Sequence, residues 1–369
     1  MSKGKFEGVK FAPRGDKSFY ESVIADVNAY FEQNNISPYA NTEMWTKTVA
    51  MLLLFFVPYA FMVSGVASGN IWIYLGLWFV MGCGMVGIGT SVMHDANHGA
   101  YSPNKNVNKY IGHILDFIGG YSASWRIQHN ILHHTYTNVD GLDEDIDSII
   151  LLRFSPRQKR YWFHRYQHFY AWFFYSVMTL FWMTVKDYVQ VIRYKKHGLL
   201  KKERVTLRQA IQHITIFKVI YYSYVLVLPL LFSGMPWYNV MAGFLIMHGI
   251  AGLLLSLIFQ PAHVVASSDY AMPKMVGGKR QMENSWAIHE IANTTDFAPR
   301  NRILNWFIGG LNFQIEHHLF SHICHVHYRK LAPIVKSAAE SFGVPYQVKP
   351  TFRSAIAEHA RMLRKLGRE

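Results

Sequence analysis

Four stretches of the chain stay apolar for about the ~20 residues that a bilayer crossing requires. They are 48–68 (TVAMLLLFFVPYAFMVSGVAS), 71–92 (IWIYLGLWFVMGCGMVGIGTSV), 214–232 (ITIFKVIYYSYVLVLPLLF) and 237–259 (WYNVMAGFLIMHGIAGLLLSLIF). The second and fourth hold no Lys, Arg, Asp or Glu, and the third holds Lys218, which either snorkels or faces a partner. The pattern predicts two transmembrane helical hairpins, four spans in all. The short links at 69–70 and 233–236 carry no Lys or Arg, whereas 93–213 contains RQKR at 157–160, RYKK at 193–196 and KKER at 201–204. Because positive charge stays on the cytoplasmic side, both chain ends and the long middle segment are expected there. The stretch 19–31 (FYESVIADVNAYF) is apolar at helical spacing and reads as an interfacial amphipathic helix or an ordinary surface helix. The aromatic run at 161–182 reads as an interfacial or shallowly inserted helix.

The expected architecture is therefore all-α and integral to the membrane, with interfacial helices and a cytoplasmic histidine-rich cap. It divides into an N-terminal cytoplasmic or interfacial segment (1–44), a membrane domain (45–335) and a C-terminal cytoplasmic helical tail (336–369). The hydrophobic fraction of 51% is within reach of soluble enzymes, so the distribution decides the class and not the mean. A net charge of +14 suits contact with anionic lipid or an acidic protein, and so much membrane argues against nucleic acid. The two cysteines, Cys83 and Cys324, form no CxxC and offer no thiolate metal site.

The 19 histidines are unevenly spread. His94 and His98 follow the second span; His129, His133 and His134 come thirty residues later; His263 follows the fourth span; His317 and His318 close QIEHH, which Gln314 opens. On an α-helix, i and i+4 share a face, so His94 pairs with His98 and His129 with His133, with His134 turned by about 100°. Eight imidazoles and an amide exceed the needs of one ion and suit two. Nitrogen-rich, thiolate-free ligation fits Fe, Zn, Cu or Ni, and a structural zinc would need only four ligands, usually with cysteine. The count therefore points to a redox pair with open positions.

A ligating imidazole usually donates its second N–H to a carboxylate or carbonyl, a role open to Asp95, Asp143, Asp145, Asp147 and Glu316. His289-Glu290 looks like the start of HExxH, but Asn293 stands where the second histidine belongs. His322, His325 and His327 read as polar residues on the helix after the last cluster, and His113, His164, His168, His197, His213, His248 and His359 as structural or surface.

HDANH at 94–98, HNILHH at 129–134 and QIEHH at 314–318, set around two hairpins, resemble the histidine boxes of the integral-membrane fatty acid desaturases. The glutamine of the third box, HHTYTNVDGLDEDID at 133–147, and NTTDFAP at 293–299 leading to FIGGLNFQIEHHLF at 307–320 resemble the front-end acyl-lipid and acyl-CoA branch. The resemblance spans about 45–335. It implies a non-haem diiron centre of two iron ions that inserts a double bond into an acyl chain, such as linoleoyl-CoA or an acyl lipid, using O2 and two electrons. It further implies one iron held by His94, His134, His263 and His318 with Gln314 alongside, and the other by His98, His129, His133 and His317. Phe259 stands where relatives carry an asparagine. Neither an HPGG haem signature nor a nucleotide-binding GxGxxG outside a span occurs, so an external donor, cytochrome b5-like or a ferredoxin, is expected, steered by basic charge. Trp125 and Arg126 are expected near the substrate's headgroup or its CoA. The same scaffold also hydroxylates and acts on sphingolipids. A membrane metal transporter is the alternative of another class, although transporters place ligands at mid-bilayer and these lie beyond span ends.

Overall fold

The structure is a computed structural model that describes residues 9–13, 18–147 and 150–369; parts of the N-terminal segment, 1–8 and 14–17, lie outside the described residues. The chain forms two compact units.

One unit comprises Thr42–Trp125 and Trp172–Leu257 and carries most of the membrane-crossing helices. Four helices are long and apolar enough to span: Thr42–Val63, Ile71–His98, Leu207–Phe232 and Trp237–His263. They match the four expected runs: the first helix starts six residues before its run and ends five before the run does, and the other three extend theirs. Asn70 starts the second span by accepting the N–H groups of Trp72 (2.9 Å) and Ile73 (3.3 Å), two donors that an isolated helix end would leave unpaired. Thr206 and Gln209 form a capping box at the start of the third.

With lipid on the outside, no hydrophobic force drives helices together, and close backbone approach replaces it. Gly84 shows this: a Cβ there would sit 2.7 Å from the backbone nitrogen of Phe55 on the first span. The outward faces carry Trp45, Leu53, Phe56 and Phe61 on the first span and Ile216, Val219 and Leu231 on the third, all exposed. Apolar surface of that extent belongs in hydrocarbon. Lys218 faces a partner and does not snorkel. Its Nζ donates to Asp187 Oδ2 (2.9 Å), the Gly119 carbonyl (3.0 Å) and the Trp182 carbonyl (3.3 Å).

The second unit comprises Met1–Asn41, Arg126–Ala171 and Ile258–Glu369. The amphipathic helix runs Phe19–Gln33 with Phe19, Val23, Val27 and Phe31 buried. These side chains join a core with Phe313, Ile315, Leu319, Phe320, Tyr328, Leu331 and Val335. Its apolar stripe is therefore covered by protein, which favours the surface-helix reading over the interfacial one. Short β pairings tie loops together: Val9–Lys10 lies parallel to Lys279–Gln281, which pairs antiparallel with Lys274–Val276, and Asp296–Phe297 lies parallel to Val348–Lys349. The aromatic helix begins at Gln167, six residues later than the aromatic run suggests, and its helical course continues through a π-helical turn to Lys196.

Candidate metal centre

In the membrane unit, His94 and His98 lie on the final turn of the second span, Met93–His98, which stops at Gly99 in the left-handed conformation (φ 78°). Their rings are 4.7 Å apart, and each lies 5.4 Å from Trp125. Trp125 is thus packed against these histidines. Asp95 Oδ1 lies 3.8 Å from His94 Nδ1.

The other six histidines of the set belong to the second unit. Residues Ile127–His133 form a π-helical turn and not the expected α-helix. Winding from i to i+5 aligns residues five apart, so His134 comes over His129, their Nε2 atoms 3.2 Å apart. His134 Nε2 is also 3.0 Å from His317 Nε2. His133 is directed elsewhere: it forms a ligand-like group with His263 and His318, one nitrogen of each lying within 4.8 Å of the others. In the partition implied by the resemblance, His133 sat with His129 and His317, and His134 with His263 and His318. His134 touches both sets, its Nε2 near His129 and His317 and its ring stacked on His318 at 4.3 Å.

The Nδ1 atoms show how each ring is held. His133 Nδ1–H donates to both oxygens of Asp143 (3.1 Å each) and lies 3.5 Å from Asp145 Oδ2. Asp143 is itself fixed by the N–H groups of Asn138 and Asp145, both at 2.9 Å. Asp145 also accepts from the Gln128 amide and lies 3.7 Å from His129 Nδ1. His263 donates from Nδ1 to the Asn293 carbonyl (3.1 Å). His318 Nδ1 meets Glu290 Oε2 at 2.7 Å, and His317 Nδ1 meets the Tyr328 hydroxyl at 3.3 Å. With Nδ1 engaged in His133, His263, His317 and His318, Nε2 is the nitrogen that each presents to a metal.

The residues fit a metal. His263 Nε2 and Gln314 Nε2 are buried and have no hydrogen-bond partner among the described residues. Three Nε2 atoms at 3.0 and 3.2 Å cannot all be satisfied by each other, because a neutral imidazole carries one N–H. Nitrogens bound to one ion at roughly 2.1 Å lie about 3 Å apart, which matches. The electrostatics agree. Burial pushes His133 down, but Asp143 and Asp145 outweigh it and hold the imidazole at about 9. Burial likewise opposes the charge on Asp145, yet His133 and His129 keep its carboxyl well below the usual range. A pocket that favours an imidazolium this strongly also favours a bound cation.

Of the expected carboxylates, Asp143 and Asp145 reach histidine rings of the second unit, and Asp147 is exposed. Glu316 takes a different part. Its Oε1 lies 2.8 Å from the Tyr346 hydroxyl, which is also 2.7 Å from Asp296 Oδ2, and Asp296 Oδ1 accepts the Ile315 N–H (3.0 Å). Burial, reinforced by Asp296, pushes Glu316 well above the usual range, so it stays a neutral acid that secures the short helix Gln314–Leu319. That helix follows Gly310, whose left-handed backbone (φ 68°) and 3.0 Å clearance to the Cβ of His325 leave no room for a side chain.

Sequence reasoning missed Glu290, Asn293, Thr137 and Tyr328. Glu290 was visible only as part of an incomplete HExxH. His289 is no ligand; it donates from Nε2 to the Thr137 carbonyl (2.9 Å), and burial brings it down to about 4. His327 bonds the Tyr39 carbonyl (3.3 Å), His325 packs under Gly310, and His322 is exposed.

Fold and site together define an all-α integral membrane protein with an imidazole-lined centre. A fatty acid desaturase profile matches residues 69–350. The chain is 37% identical to the sn-1 linoleoyl-lipid 6-desaturase of Arthrospira platensis, over 95% of this chain and 92% of that one. It is 34% identical to the Synechocystis protein of the same name over 98% of both chains, and 34% identical to the acyl-lipid (8-3)-desaturase of Physcomitrium patens, over 97% of this chain and 74% of that one. The chain belongs to the fatty acid desaturase family, in its front-end branch, and is an oxidoreductase acting on fatty acyl chains.

Proposed function

We propose that this desaturase inserts a double bond at position 6 of a linoleoyl group esterified in a membrane lipid, with its centre on the cytoplasmic face. The substrate follows from the names of the two relatives that it resembles over nearly their whole length. The metal is two irons, held by His94, His98, His129, His133, His134, His263, His317 and His318, with Gln314 alongside. The observation that carries this reading is the set of inward Nε2 atoms whose Nδ1 partners are already engaged.

When bound, the iron pair would supply the O2-dependent removal of two hydrogens from adjacent methylenes. The chain's own residues do the rest. Asp143 and Asp145 offset cationic charge, Glu290 and the Asn293 carbonyl fix ring orientation, and the buried setting keeps water away from the reacting carbons. The acyl chain is positioned so that two chosen carbons meet the centre, which sets where the double bond forms. Two electrons come from a separate acidic donor, cytochrome b5-like or a ferredoxin, attracted by the chain's positive charge.

Expression in a host that lacks polyunsaturated lipids, with linoleate supplied, tests the proposal. Mass spectrometry of lipid acyl chains should find a product two hydrogens lighter with its new double bond at position 6. A product one oxygen heavier would make the protein a hydroxylase, and unchanged lipids would overturn the assignment.

A further inference from the structure

Within the membrane unit lies a second cluster of metal-binding chemistry that the desaturation site does not use. His113 links the helices Lys105–Gly112 and Ile114–Phe117, Asp116 lies on the second of them, and His213 sits two turns into the third span. One ligand atom from each of the three lies within 4.8 Å of the other two. The arrangement centres on one oxygen: Asp116 Oδ2 is in hydrogen-bond contact with His113 Nδ1 and lies 3.5 Å from His213 Nε2. Asp116 is fully buried, while the two histidine side chains keep 29% and 31% of their surface exposed, leaving a path for an ion.

Three further observations separate this cluster from an incidental contact. First, His213 Nε2 is a buried atom with no hydrogen-bond partner among the described residues, although it is directed at the carboxylate. Secondly, the His213 ring is set in place before any ligand arrives, stacked on Phe217 at 4.5 Å and tilted against Tyr121 at 5.1 Å. Thirdly, Asp116 is anchored from behind, since Oδ1 accepts the Ser122 N–H (2.8 Å) and Oδ2 the Ser122 hydroxyl (3.0 Å). A carboxylate so anchored, flanked by two imidazole nitrogens, is a two-histidine, one-carboxylate donor set. The 3.5 Å gap is already near the ~3.4 Å between ligands of a tetrahedral ion about 2.1 Å away, and the short His113–Asp116 contact opens toward that spacing when the ion enters.

We propose that His113, Asp116 and His213 bind one divalent transition-metal ion of the zinc class, at a site that shares no residue with the iron centre. The ion takes His113 through Nδ1, Asp116 through Oδ2 and His213 through Nε2, with solvent completing its shell. Binding holds Asp116 and therefore Ser122, the first residue of the helix Ser122–Arg126. Three residues on, Trp125 packs against His94 and His98. Occupancy thus steadies the ring wall behind the first histidine pair, a structural role with a path to activity.

The experiment uses the full chain in detergent, already loaded with iron so that the main centre does not take up zinc. Equilibrium dialysis against Zn2+ with elemental analysis should find one more equivalent of zinc per chain in the wild type than in the double variant His113→Ala/His213→Ala. Each single variant should bind at least tenfold more weakly. Co2+ in place of Zn2+ should give a visible ligand-field band in the wild type that both single variants lose. Elution profile and melting temperature in the absence of zinc confirm that the variants are folded; should the double variant fail there, His213→Gln, at a partly exposed position, replaces it under the same criterion. Equal zinc uptake by wild type and folded variant, or no uptake by the wild type at micromolar Zn2+, overturns the assignment.

Discussion

His318 Nδ1 and Glu290 Oε2 lie 2.7 Å apart, both side chains buried and 28 residues apart in sequence. The contact fixes which nitrogen of His318 turns inward. Thr137 Oγ1 lies 2.7 Å from the same oxygen, so the carboxylate is itself held. Removing such a partner from a ligating histidine typically weakens metal binding by about 10- to 100-fold. Glu290→Ala is therefore expected to lose iron in that range during dialysis against a graded chelator, with desaturation falling in step. Glu290→Gln, which keeps an acceptor oxygen, should lose less. Iron retention equal to wild type in Glu290→Ala would remove Glu290 from the centre.

Asp143 and Asp147 provide a matched pair from a single acidic run. Asp143 is fully buried, accepts from His133 and is fixed by two backbone N–H groups. Asp147 is exposed. Asp143→Asn should cost at least as much iron affinity as Glu290→Ala, about 10- to 100-fold, because Asp143 also offsets charge at His133. Asp147→Asn should leave product formation within about twofold, as surface substitutions usually do. Parallel measurement of iron content and lipid product in the two variants checks the assignment; similar losses in both would mean that the whole run, and not one carboxylate, matters.

The limits of sequence reading are visible at particular residues. The four spans were legible because uncharged runs of bilayer length have few other uses, and the histidines because they gather at span ends. The direction of His134 was not legible, since an α-helical wheel cannot anticipate the π-helical turn at Ile127–His133. Glu290 and Asn293 escaped because their partners His318 and His263 lie 28 and 30 residues away, and nothing local marks them. Glu316 was misjudged in role for the opposite reason: adjacency to His317 suggested a ring partner, whereas the short helix turns its side chain to Tyr346. His113 and His213 read as structural or surface because the sequence separates them by a hundred residues.

Acid stability should carry the mark of His359. The residue is buried on the C-terminal helix Phe352–Leu366 and donates from Nδ1 to the Val264 carbonyl (2.9 Å). Burial brings its imidazole down to about 4, against about 6.5 in an unfolded chain. The folded state thus binds this proton less readily than the unfolded state, so the residue's contribution is complete above about 6.5 and is lost as pH falls toward 4. The difference is on the order of 3 kcal/mol. Melting temperature should decline through that window, and His359→Asn, which keeps a donor for Val264 but no titrating ring, should flatten the decline. An identical slope in wild type and variant would show that His359 takes no part.

Two glycines of the second span separate close packing from helix propensity. Replacing a helical glycine by alanine normally gains about 1 kcal/mol of propensity. At Gly76 nothing lies within 4 Å of an added Cβ, so Gly76→Ala should be neutral or slightly stabilising in detergent. At Gly84 the added Cβ would meet the Phe55 nitrogen at 2.7 Å and the Leu54 carbonyl carbon at 2.8 Å, atoms of a packed backbone that cannot swing aside. The first hairpin would have to part to admit it. Since packing of this kind holds membrane helices together, Gly84→Ala should lower the melting temperature and the yield of monodisperse protein. Because the second span carries His94 and His98 at its end, desaturation should fall further than yield alone explains. Equal thermal stability of the two variants would show that the first and second spans are free to separate without cost.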